Sequence, residues 1–177
     1  PVLDSLSVDF TLLSPQSLSG ISSGSMRRLS LRGIRLNSDV IERLSRMNQL
    51  QHIALSVGRN WRGLVELQAN VDLWAASPES PGELPHGLQR LYLQGAIDES
   101  LLRQLANAPE LTELSLSAVN GSWRTTGFPK LSTLIAESAG ITDEDLLGLT
   151  ACPSIEALFI SGNPFGRSLR EIYSPFL

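Results

Sequence analysis

The sequence predicts an α/β array of stacked repeats, and three observations support this fold class. A six-residue pattern, L-x-x-L-x-L, recurs along the whole chain. Leucine supplies 32 of the 177 residues, whereas aromatic residues make up only 6%. Between several of the repeats lie segments whose apolar residues recur at helical spacing. This combination indicates many equivalent small core positions rather than one irregular core.

The repeats begin with an aliphatic residue or methionine at Leu3, Met26, Leu50, Leu88, Leu111, Leu131 and Ile155. Successive starts are separated by 23, 24, 38, 23, 20 and 24 residues. The segment QANVDL, which begins at Gln68, divides the longest gap into 18 and 20 residues, so we take it as a further repeat, the fourth along the chain. A single repeat of this size cannot bury its own apolar stripe, so neighbouring repeats must stack to make a core.

Three segments that follow repeats are predicted to be helices: NSDVIERLSRM, DESLLRQLANA and TDEDLLGLTAC. Residues that favour helix starts stand at Asn37 and Ser38, at Asp98, and at Thr142. Thr142 is followed three positions later by Asp145, which is a capping-box arrangement. A Pro or Asn follows each helix and ends it before the next strand: Asn48, Pro109 and Pro153.

These repeats resemble the leucine-rich repeat family over essentially the whole chain. The helical repeats resemble the ribonuclease-inhibitor-like subtype, whereas ELPHGLQRLYL resembles the shorter repeats of bacterial effectors, in which no helix precedes the strand. The Asn that the family buries after the strand is present at Asn163, but Ile34 and Ala139 depart from that pattern. The resemblance implies a right-handed solenoid, or horseshoe arc, of about seven to eight repeats. Its parallel β-sheet would form the concave face, with helices and turns on the convex face.

We expect residues 1–177 to form a single domain of this kind within a larger protein. Solenoids need polar caps at both ends, and a first repeat at residue 3 leaves no room for an N-terminal cap. Residues 164–177 could provide the C-terminal cap. The Ser-rich segment SPQSLSGISSGSM is predicted to be a flexible connection between the first two repeats.

Composition and motifs argue against several classes of function. The net charge of −4, without blocks of like charge, argues against nucleic-acid binding, and no apolar run approaches the length of a membrane span. The single Cys152 excludes an internal disulfide and fits a reducing compartment or a bacterial protein, and we expect a cytoplasmic location. We interpret Cys152 as a small buried residue at the position that Met47 and Ala108 occupy in other repeats. No nucleotide-binding or metal-binding motif is present, so we expect no cofactor and no metal site.

The few residues that could carry chemistry have simpler interpretations. His52 is predicted to face solvent from a strand, and His86 to lie in a solvated turn, so neither suggests a catalytic centre. The acidic residues Asp143, Glu144 and Asp145 are predicted to form a charged first helical turn rather than a metal site, because hard-cation loops space their ligands more widely.

Side chains alternate between the two faces of a strand, so half of the strand residues face outward. These outward-facing residues are our candidates for binding a partner. Tyr, Trp and Arg, which dominate protein-protein hot spots, recur among them. The alternative is a merely solvated strand surface with scattered aromatic residues. Phe159 forms a separate apolar spot with Ile135. The predicted protein-binding residues are Arg28, Arg32, His52, Asp72, Trp74, Arg90, Tyr92, Gln94, Glu113 and Phe159.

The sequence therefore predicts a non-catalytic module that binds a protein partner through the concave face. The alternative is the substrate-recognition domain of a multidomain enzyme, such as a bacterial effector of the ubiquitin-ligase type secreted into the host cytoplasm. The effector-like ELPHGLQRLYL repeat motivates this alternative.

Overall fold

The computed structural model describes residues 3–9, 25–32, 38–57, 61, 63–76, 83–120, 123, 127–150 and 152–164. The strands are β1 (Ser5–Asp9), β2 (Arg28–Arg32), β3 (His52–Val57), β4 (Asn70–Ala76), β5 (Leu88–Asp98), β6 (Glu113–Asn120), β7 (Thr133–Ile135) and β8 (Ala157–Phe159). The helices are α1 (Ser38–Ser45), α2 (Glu99–Ala106) and α3 (Asp143–Thr150), with a 3-10 turn at Leu64–Glu66. All eight strands belong to one sheet in chain order, which confirms the predicted α/β array with one strand from each repeat.

Residue contacts divide the chain into two compact units, Pro1–Leu93 and Gln94–Leu177, with the boundary inside β5. In the first unit, β1 to β4 pair in parallel, each strand with the next along the chain. In the second unit, β6 to β8 do the same. Parallel pairing of consecutive strands requires a connection that returns the chain to the same end of the sheet, and the segments between the repeats serve this purpose.

The registers align corresponding positions of the repeats. In the first unit, Leu29 lies opposite Ile53, and Ile53 lies opposite Val71. All three side chains are at most 1% exposed, so the second apolar position of each repeat forms a continuous interior row. In the second unit, Leu114 lies opposite Leu134, and both are fully buried.

The pairing of β3 with β4 confirms the repeat at QANVDL and its alignment with its neighbours. Ala54 lies opposite Asp72, and Ser56 lies opposite Trp74. A shift of one residue would have turned Asp72 and Trp74 toward the interior, because alternate side chains of a strand point to opposite faces.

The repeats at the two ends of the strand order are less well buried than those between them. Leu3 is 53% exposed, whereas Met26 at the equivalent position of the next repeat is 1% exposed. Leu158 in β8 is only half-buried, although its register partner Leu134 is fully buried. An interior repeat buries its apolar residues against two neighbours, and this pattern is the one expected of stacked repeats.

The predicted helices are present, and two of their predicted caps can be examined. Asp98 precedes α2, and its Oδ1 atom accepts a hydrogen bond from the backbone N–H of Leu101 at 2.8 Å. At α3, the Thr142 hydroxyl accepts the N–H of Asp145 at 3.3 Å, while the Asp145 carboxylate accepts the N–H of Thr142 at 3.0 Å. This reciprocal pair confirms the predicted capping box, and it gives the Asp145 carboxylate a structural role. Asn37, the cap residue predicted for α1, lies outside the described residues.

The Asp98 cap leads to a first prediction. Asp98→Ala should lower the free energy of unfolding by about 1 kcal/mol, because the N–H of Leu101 loses its acceptor at the start of α2. Urea unfolding followed by circular dichroism measures this loss. Asp98→Ser retains a capping oxygen and should recover most of the stability. Equal stabilities of the Ala and Ser variants would contradict a capping role.

The predictions for the segment before β5 and for the burial of Cys152 are also confirmed. Residues 83–87, which precede β5, contain no helix, as the effector-like pattern of this repeat implies. Cys152, Met47 and Ala108 are all buried, with exposures of 8%, 6% and 6%. Within the described part of the chain, no helix is long and apolar enough to cross a membrane. Ile34, most of the Ser-rich segment and residues 165–177, which include most of the predicted C-terminal cap, lie outside the described residues.

Side-chain hydrogen bonds to the backbone also join successive repeats. The Asn163 amide donates to the carbonyl groups of Ala136 and Ile160, at 2.7 and 2.6 Å, and accepts the N–H of Ile141 at 2.9 Å. Asn163, which the resemblance implied to be buried, is half-buried, and these hydrogen bonds connect its own turn to the preceding repeat. At Ala139, where the pattern departs from Asn, the carbonyl group accepts the indole N–H of buried Trp123 at 3.3 Å.

Candidate functional site

The strands of the first unit present one face to the core and the other outward. In β2 and β3, buried and more exposed side chains alternate strictly along the strand. We call the outward side of these strands the outer sheet face. Six of the predicted binding residues lie together on this face of the first unit, and we call them the basic-aromatic cluster: Arg32, His52, Asp72, Trp74, Arg90 and Tyr92.

An aromatic stack lies at the centre of the cluster. The rings of Trp74 and Tyr92 are nearly parallel, with an interplanar angle of 5° and 4.9 Å between their centroids. The guanidinium carbon of Arg32 lies 5.2 Å from the centroid of Trp74, in a cation-π arrangement. Trp74 is on β4, which lies between β2, the strand of Arg32, and β5, the strand of Tyr92. Arg32 and Tyr92 therefore approach the indole ring from opposite sides.

A small residue on β3 allows the side chain of Arg32 to reach Trp74. Arg32 and Trp74 stand two strands apart, and the outward residue of β3 opposite Trp74 is Ser56. Neighbouring strands are about 4.8 Å apart, so Arg32 must cross roughly 10 Å of sheet to reach the indole. A large side chain at Ser56 would stand in the path of the guanidinium group.

A buried carboxylate accompanies the stack. Asp72 is 4% exposed although it is on the outer sheet face, because its neighbours cover it. His52 Nε2 lies 3.2 Å from Asp72 Oδ2, and Arg90 Nε lies 3.7 Å from Asp72 Oδ1. A buried carboxylate is costly unless polar and charged groups surround it. The arrangement therefore holds the side chains of His52 and Arg90 in place beside the stack.

Arg28 occupies the margin of this surface. Its guanidinium group lies 3.2 Å from the carboxylate of Asp4, which also lies 3.5 Å from Arg27 Nε. All three side chains are between 46% and 65% exposed, so solvent screens these pairs and each adds little to stability. Arg28 is in register with His52, which places it one strand from the cluster.

The remaining predicted binding residues belong to the second unit. Gln94 is exposed on β5, and Glu113 is half-buried on β6. Phe159 is 54% exposed on β8 and lies in register with Ile135, which confirms that these two residues adjoin. They form an apolar spot within the second unit.

No family model and no curated protein matches the chain. Among solved structures, the chain is similar to an internalin from Listeria monocytogenes, with 14% sequence identity and a TM-score of 0.48. The match covers 82% of this chain and 51% of the internalin chain, so the chain spans about half the length of that protein.

The site differs from the sequence-based prediction in two respects. The alternation of the strands places Asp72 outward, but it does not reveal that the residue is buried under His52 and Arg90. Asp4 is a neighbour of Arg27 and Arg28 that we did not predict, because it precedes β1 rather than alternating within it. Within the described residues, no group of three or more metal-binding side chains is present.

Proposed function

We propose that the chain is a non-catalytic module that binds a protein partner through the basic-aromatic cluster on its outer sheet face. The observation that supports this most directly is the stack of Arg32, Trp74 and Tyr92 beside the ion-paired Asp72. Trp, Tyr and Arg are the residues most enriched at binding hot spots, since each buries a large area and also carries a polar group.

The geometry of the cluster also favours binding. Flexible side chains cost about 0.5–1.5 kcal/mol each when an interface immobilises them. Here the stack and the ion pairs order the side chains before any partner arrives, so part of this cost is met during folding. The small residues Ser30 and Ala54 of the same face leave room for a partner beside the cluster.

A second candidate is the recognition domain of a multidomain enzyme of the bacterial effector kind. The helix-free segment before β5, at residues 83–87, favours it, because effector repeats lack a helix at this point. In that case the same face would select the substrate and another domain would catalyse. Sequencing the gene on both sides of this chain would decide between the two candidates.

The test compares two arginine substitutions in the first unit. Arg32→Ala removes a guanidinium group from the cluster, whereas Arg46→Ala removes an exposed guanidinium group beyond the end of α1. Among the described residues, Arg46 pairs only with exposed Glu42, and Arg32 makes a cation-π contact with Trp74. Both substitutions should therefore change stability by less than about 1 kcal/mol. We would immobilise each form of the chain, expose it to an extract of the source cells and quantify the retained proteins by mass spectrometry.

The expected result is a partner retained by the wild-type chain and by Arg46→Ala, with about tenfold less retained by Arg32→Ala, a loss near 1.4 kcal/mol. Equal retention by all three forms would refute binding through the cluster. Arg90 and Tyr92 are less suitable for this test, because Arg90 also contacts buried Asp72 and Tyr92 also packs on Trp74.

A further inference from the structure

We infer that the partner of the basic-aromatic cluster presents clustered carboxylates, so that the cluster recognises an acidic polypeptide segment. This inference rests on the proposed function and adds the chemical class of the partner. Some groups of the cluster already contact other residues of the protein, and the groups that remain accessible determine which partner can bind.

The ring faces of Trp74 are used internally. Tyr92 stacks on the ring from the side of β5, and the guanidinium group of Arg32 lies over the ring from the side of β2, so together they cover both faces. What a partner can reach is therefore the rim of the indole together with the edge of the guanidinium group. The rim of an aromatic ring carries partial positive charge, and the indole nitrogen is a hydrogen-bond donor only. Both groups favour an acceptor or an anion.

The arginines of the surface have more donors than the protein's own carboxylates use. Each guanidinium group carries five N–H donors in a fixed plane and has no acceptor. Arg28 contacts the Asp4 carboxylate through one nitrogen, and Arg90 contacts Asp72 through Nε. Among the described side chains, no ion pair involves Arg32. The arginine edges can therefore make further charge-assisted hydrogen bonds, which carboxylates accept in pairs.

The charge of this surface also favours an acidic partner. Among the described side chains of this surface and its margin, four arginines outnumber the two carboxylates that accompany them: Arg27, Arg28, Arg32 and Arg90 against Asp4 and Asp72. Asp72 is buried between His52 and Arg90. The whole chain carries a net charge of −4, so this is a locally basic surface on an acidic protein. An acidic partner would be attracted to this surface rather than to the chain as a whole.

An anionic nucleic acid is the other ligand that such a surface could attract. Proteins that bind single strands use aromatic rings as platforms on which successive bases stack. Both faces of Trp74 are occupied, so the indole offers no platform for a base. The geometry thus favours carboxylates over nucleotides.

The test selects ligands without assuming their sequence. A phage-displayed random-peptide library would be panned on the full chain, and the net charge of the enriched peptides compared with that of the starting library. The strongest binder would be synthesised with every Asp and Glu replaced by Asn and Gln as its matched control. Affinities would be measured by fluorescence anisotropy for the wild-type chain, Arg32→Glu and Arg46→Glu. A labelled single-stranded oligothymidylate would be the nucleic-acid probe.

We expect enrichment of acidic peptides, and at least about tenfold weaker binding after neutralisation of the peptide or after Arg32→Glu. Arg46→Glu should bind as the wild-type chain does. Neutral or basic peptides that lose affinity with Arg32→Glu would overturn the acidic preference but leave the proposed surface standing. Peptides insensitive to Arg32→Glu would overturn both proposals. Tighter binding of the oligothymidylate than of the acidic peptide would replace the inferred partner class by a nucleic acid.

Discussion

Replacing Leu134 by alanine is expected to lower the free energy of unfolding by about 2–5 kcal/mol. Leu134 is fully buried and lies in register between Leu114 of β6 and Leu158 of β8. Truncation therefore removes contacts with both neighbouring repeats and leaves a cavity that neither strand can fill without shifting. Urea unfolding monitored by circular dichroism measures the change.

Leu147→Ala is the matched control for this prediction. Leu147 lies on α3 of the same unit, but it is 57% exposed, so truncation removes little buried surface. We expect its effect on stability to stay within about 0.5 kcal/mol. If the two variants lost equal stability, Leu134 would not belong to an interior shared by successive repeats.

The second large effect is expected for Gly127→Ala. A methyl group at Gly127 would clash with the carbonyl oxygen of Ala106, which accepts the N–H of Phe128 at 2.7 Å. Backbone atoms on both sides are held by this hydrogen bond, so the clash cannot be relieved by a side-chain rotation. We expect a loss of about 1–3 kcal/mol or more, as for overpacked sites in general. Thermal unfolding followed by calorimetry measures this loss.

Gly148→Ala provides the opposite expectation in the same unit. Gly148 lies within α3, where an added methyl group would meet no described atom within 4 Å. Alanine favours helices over glycine by about 0.5–1 kcal/mol, so this variant should be at least as stable as the wild-type chain. A stable Gly127→Ala variant would show that the backbones of the two repeats do not approach as closely as the structure indicates.

The repeat pattern was sufficient to predict the fold class and the alignment of successive repeats. The position of QANVDL, the helix-free start of ELPHGLQRLYL and the caps at Asp98 and Thr142 all follow from residue types at fixed offsets. Such features can be predicted because the hydrogen bonds and burial that define them lie within one repeat or recur identically in the next. The same alternation identified Trp74 and Tyr92 as outward-facing residues.

The way in which the outward residues associate depends on packing between strands. Arg32 reaches Trp74 across an intervening strand, where the outward residue Ser56 is small. Asp72 is buried, with His52 of β3 beside one carboxylate oxygen and Arg90 of β5 beside the other. These contacts depend on the distance between strands and on the rotamers of long side chains, neither of which is encoded in the spacing of one repeat. The sequence therefore predicted a face, and the packing of side chains from four strands formed a specific cluster on it.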